Sequence, residues 1–102
     1  MTRFRRRRFA ELVRRQLDLF AEDEAELLAE ADTAERAYDA AEREEAEELY
    51  GDFQLVLDAA GDALAELRDT YAATLDEDAA DAYATEFDRA AAKRYPRLRG
   101  FL

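Results

Sequence analysis

The stretch 38–75, YDAAEREEAEELYGDFQLVLDAAGDALAELRDTYAATL, decides the fold. Its apolar residues Tyr38, Ala41, Ala46, Leu49, Phe53, Val56, Leu57, Ala60, Leu64, Leu67, Tyr71 and Leu75 hold one 3.6-residue phase throughout, the period of a helix face. Gly51 and Gly61 interrupt it, each at a cost of up to ~1 kcal/mol against Ala. Neither Asp52 nor Asp62 is followed three residues later by a capping glutamate, so nothing restarts a helix after either glycine. One long helix is expected, with a kink or a close helix contact at the glycines. A break at Gly51 would instead give four shorter helices.

Upstream, Phe4, Phe9, Leu12, Val13, Leu17, Phe20, Leu27, Leu28 and Ala31 recur at helical spacing, predicting a first helix of about 4–31. Asp32-Thr33-Ala34-Glu35 has the form of a capping box, which restarts a helix at about 33 and carries it to 73. Downstream, Thr74-Leu75-Asp76-Glu77 has the same form and gathers acid where a helix N-terminus is partly positive, predicting a third helix of about 76–95. Pro96 and Gly100 end it.

The composition agrees. Few β-branched residues (Val13, Val56 and five Thr) and abundant Ala, Glu, Leu and Arg favour helix over strand. The expected fold is therefore an all-α, long-helix hairpin of three helices forming an antiparallel bundle in a single domain, 1–102. A short basic N-terminal arm (1–8) and a basic C-terminal tail (96–102) flank it. Folding back at 32 and 74 places Leu17 near Leu49, Val13 near Phe53 and Phe9 near Leu57; on the other side it places Tyr83 near Leu67, Phe87 near Leu64 and Ala91 near Ala60.

Such a bundle is only two helices thick. Phe53, Leu55, Val56 and Leu57 are too closely spaced to share one face, so another surface must cover some of them. A homodimer pairing two middle helices antiparallel would do so; a monomeric four-helix bundle broken at Gly51 is the alternative. The Ala- and acid-rich stretch 29–48 holds only Tyr38 as a large side chain and is expected to be the least stable part.

Charge is sorted by position. Residues 1–15 carry seven Arg against one Glu, and residues 89–102 carry five basic groups and no acid. Between them, twenty-five Asp and Glu face only Arg36, Arg43 and Arg68, and the net charge is −11. The hairpin brings both basic ends beside Phe53 to Asp62. Arg5, Arg6, Arg7, Arg8, Lys93, Arg94 and Arg97 are accordingly the candidate partner-binding residues, suited to an acidic protein or, as arginine forks, to phosphate. The same residues would equally serve charge balance against the acidic middle. That middle repels a nucleic-acid backbone, which disfavours DNA or RNA as the partner.

There is no Cys and no His, which removes thiolate nucleophiles, imidazole bases and thiolate or imidazole metal sites. No catalytic residue, metal ligand or cofactor is assigned. Apolar runs are three or four residues long, far below the ~20 of a membrane span. The start MTRFRRRRFAELV lacks the apolar stretch of a secretory signal, and a cytoplasmic location is expected. One acidic pattern touches chemistry. Glu22-Asp23-Glu24-Ala25-Glu26 and Glu44-Glu45-Ala46-Glu47-Glu48, with Asp52, resemble the acidic helix motifs of the MazG-type all-α nucleotide pyrophosphohydrolases. That resemblance implies Mg²⁺ held between paired helices, with a turn at Asp32 bringing the two clusters face to face. The family's second motif ends in an acid three residues after a glutamate, whereas Asp52 lies four after Glu48.

Overall fold

The computed structural model describes residues 8–102. They form α1 (Ala10–Asp23), α2 (Ala25–Asp39), α3 (Arg43–Ala72), α4 (Glu77–Arg94) and a 3-10 segment, Pro96–Phe101, with no strand among them. The protein is an all-α bundle, as its periodicity predicts. The predicted helix start at residue 4 lies outside the described residues; Arg8 and Phe9 form a turn and α1 begins at Ala10.

α1 and α2 make one rod with a single irregularity at Glu24 (φ −109°, ψ 25°). The ladder survives it: Glu24 N–H donates to Phe20 O, and Leu28 N–H to Glu24 O, both at 2.9 Å. The rod and α3 are each about 45 Å long.

The chain reverses at Ala40–Glu42, about two turns of helix beyond the predicted boundary at Asp32. Asp32 and Glu35 lie inside α2. No glycine, proline or side-chain cap marks the true turn. Tyr38 fixes it from across the hairpin, with ring centroids 5.2 Å from Tyr50 and 6.4 Å from Phe53. Tertiary stacking thus overrides the local capping signal.

Moving the turn moves the register. Leu17 does not meet Leu49; its neighbour Phe20 lines a groove with Ala63 and Leu67 of α3, a slide of roughly 27 Å along the helix. α4 returns antiparallel to α3, with Tyr83 4.8 Å from Tyr71 and Asp88 2.9 Å from Arg68, about one turn from the predicted pairing. α4 runs parallel to α1, with Phe9 5.6 Å from Tyr83 and Asp18 2.9 Å from Arg94.

α3 continues through both glycines, so the four-helix alternative broken at Gly51 does not form. Gly61 is the close-contact glycine: it is buried, and a Cβ there would overlap the Phe101 ring. Asp76 caps α4, accepting from Ala79 N–H at 2.9 Å, while Thr74 donates its hydroxyl to Tyr71 O.

The core, with Val13, Leu17, Leu64, Tyr83, Phe87 and Leu98 as its most enclosed large side chains, fills the end where α1, α3, α4 and the 3-10 segment meet. On the rod the buried residues stop at Ala31, and on α3 they begin at Phe53. The hairpin tip between them, residues 32–52, contains none.

Candidate interaction surface

Among the described residues the candidate cations do not form one patch. Arg5, Arg6 and Arg7 lie outside the described residues. Arg8 sets its guanidinium carbon 5.0 Å from the Phe9 ring centroid. Phe9 N–H donates to the Glu86 carboxylate, at 3.1 Å to Oε2 and 3.3 Å to Oε1. α1 has no side-chain cap of its own, so a helix N-terminus with orphan donors is completed from α4.

The C-terminal cations turn inward. Arg94 pairs with Asp18 at 2.9 Å, and Arg97 with Asp32 at 2.9 Å and Glu35 at 3.2 Å. Lys93 is exposed and has no ion pair among the described residues. Phe9 meets Tyr83 and Glu86 instead of Phe53 to Asp62, two turns of α4 or about 12 Å from Arg94. The tail does reach that stretch, through Phe101 on Gly61.

A different surface is left open. On α3, Leu49, Asp52, Val56, Ala59, Ala63, Glu66 and Thr70 are separated alternately by three and four residues, which puts them on one face. α4 packs elsewhere, through Arg68 and Tyr71. Two grooves lie along this face between the rod and α3. One, of about 440 Å³, is lined by Ala34 and Ala37 of α2 and by Leu49, Leu55 and Val56 of α3. The other, of about 290 Å³, lies among Gln16, Leu19, Ala63 and Leu67. Leu55 is 69% exposed and Leu19 55%. Both Leu55 and Leu19 lie off the main stripes of their helices, although only Leu55 was among the residues expected to need cover.

Polar contacts elsewhere serve the fold. Tyr83 donates its hydroxyl to Gln16 Oε1 at 2.6 Å, and burial raises its phenol to about 12. Hydrogen bonding to Asp69, then to Asp88, raises Arg68. Glu11 is held below the ordinary carboxylate range by its hydrogen bond to Arg14.

The two acidic clusters do not oppose each other. With the turn at Ala40–Glu42, Glu44–Glu48 face the end of α2, roughly 24 Å along the rod from Glu22–Glu26. No group of three or more metal-ligating side chains converges among the described residues, and none of the described helices is long and apolar enough to cross a membrane. Compared with family models, curated proteins and solved structures, the chain matches none.

Proposed function

We propose that this chain is a non-enzymatic helical interaction module, an adaptor that holds another protein chain on the open face of its long hairpin. The observation that carries this reading is the pair Leu19 and Leu55, both largely exposed beside grooves on one face. Every buried side-chain polar atom among the described residues has a partner, so these leucines, each lining an open groove, stand out as the fold's unfinished surface. A second copy on this face, giving a homodimer, is one form of the module. Sedimentation velocity at two protein concentrations, with crosslinking in native lysate, tests it. The Leu19→Ser/Leu55→Ser double variant should keep its helical circular dichroism and lose its associations; associations that survive unchanged overturn the reading.

A second reading is favoured by Arg89 and Lys93, exposed i,i+4 neighbours on α4 that have no ion pair among the described residues. They suit a nucleic-acid or ribonucleoprotein contact, against the repulsion of the acidic body. RNA affinity that falls steeply with salt, and falls further on Arg89→Ser, would support it.

A further inference from the structure

The two grooves differ in their electrostatic setting. Residues 25–52, which form α2, the turn and the start of α3, carry eleven carboxylates against Arg36 and Arg43. Only Asp32 and Glu35 of these eleven are in ion pairs among the described residues, both with Arg97. The other nine belong to this half of the hairpin, and two of them, Glu30 and Asp52, lie on the lining of the larger groove. Its floor is apolar: Ala34, Ala37, Leu49, Leu55 and Val56.

This is also where the fold lacks a third layer. At the other end α4 covers the hairpin, but the tip 32–52 has no buried residue. Two helices touching along one line leave much of their apolar surface in water, and a third helix laid in the groove would remove it. The alanines of α2 let such a helix approach closely, and Leu49 to Val56 span about 10 Å, room for two anchors one turn apart.

Charge selects the occupant. A second copy would set this carboxylate field against an identical one, a like-charge juxtaposition that opposes association. A helix with lysines and arginines flanking an apolar stripe meets the opposite sign on both flanks. We propose that the groove between α2 and the first half of α3 receives a basic amphipathic helix of another protein; the proposal rests on the interaction-module reading and names the chemistry of its partner.

The test uses synthetic peptides and the full chain. The probe is a 16-residue helical peptide with Leu at i, i+3, i+4 and i+7 and Lys at the other positions. Two controls accompany it: an isomer with scrambled leucines, and a version with Glu for Lys. ¹⁵N-resolved NMR titration should shift amides centred on Ala34, Ala37, Leu49, Leu55 and Val56. Leu55→Ser, at an exposed site that the fold does not need, should weaken binding roughly tenfold, and Asp52→Lys should weaken it further at low salt than at high salt. The Glu peptide should not bind.

Equal binding by the scrambled isomer, shifts centred on Glu22–Glu26, or no effect of Leu55→Ser would overturn the proposal. So would a dimer of the chain alone that Leu55→Ser dissolves, because the occupant would then be a second copy; the interaction-module reading would stand. Both readings fall together if no association of any kind depends on Leu19 or Leu55.

Discussion

Arg97 donates from Nη2 to Asp32 Oδ1 at 2.9 Å across 65 positions of sequence, and its Nη1 reaches Glu35 at 3.2 Å. Two carboxylates three residues apart on one helix share a face, so the spacing that reads as a capping box is also the spacing of a clamp for one guanidinium. The contact holds the 3-10 tail over the hairpin, with Leu98 buried and Phe101 on Gly61. The arginine expected to face a partner is thus committed to closing the fold.

Replacing Arg97 by Gln is expected to destabilise the protein by on the order of 1 kcal/mol, because the pair is partly solvated and screened. Asp32→Asn alone should cost less, since Glu35 still accepts. A double-mutant cycle in urea unfolding should show coupling between the two changes that shrinks at high salt. Strict additivity would mean that Leu98 and Phe101 hold the tail unaided.

The cap that α4 lends to α1 gives a second expectation. Glu86→Ala leaves Phe9 N–H without its acceptor, at a cost of about 1 kcal/mol, in the range measured for lost N-caps. Hydrogen exchange should quicken in the first turn of α1 and not in the last turn of α4. Exchange that quickens equally at both places would show that Glu86 supports packing instead.

Much of the fold was legible because helical phase survives any loop error. The stripe from Ala46 to Tyr71 and the start of α4 at Asp76 followed from residue spacing alone, and both are present, although Tyr38 belongs to α2 and the turn at Ala40–Glu42 cuts the predicted helix. The register was not legible. It hangs on one turn, and the turn Ala40–Glu42 contains no glycine, proline or capping side chain; Tyr38 stacking on Tyr50 and Phe53 sets it, which is information about packing. The candidate site followed the register. With the turn at Asp32, Phe9 would lie near Leu57 and the acidic clusters would oppose; with it eight residues later, Phe9 meets Tyr83, the clusters part, and the open face of α3 appears.

The two helical glycines should respond oppositely to alanine. At Gly51 an added Cβ meets nothing within 4 Å, so Gly51→Ala should stabilise by about 0.5–1 kcal/mol from propensity alone. At Gly61 the new methyl would displace Phe101, cancelling that gain. In a Phe101→Ala background, Gly61→Ala should stabilise as Gly51→Ala does. Thermal unfolding of the four variants measures this, and a stabilising Gly61→Ala in the native background would show that the ring does not rest on the helix.

Tyr83 sits at the centre of the core, edge-on to Phe9, beside Tyr71 and Phe87, and fully buried. Burial raises its phenol from 10.0 to about 12, because the phenolate would lose its water. The raised value fixes the sign of the pH effect. Below pH 10 both folded and unfolded chains keep the proton, and the stability contribution is complete. Between pH 10 and 12 the unfolded chain releases the proton while the folded one retains it, so stability falls with rising pH, by on the order of 2 kcal/mol over that window. Tyr83→Phe should lower stability at neutral pH by about 1 kcal/mol, through loss of the hydrogen bond to Gln16. The same variant should flatten the decline above pH 10, and the two stability curves should approach each other there. Parallel curves for the two proteins from pH 9 to 12 would mean that the phenol titrates alike in both states and is not shielded by the packing of α1, α3 and α4.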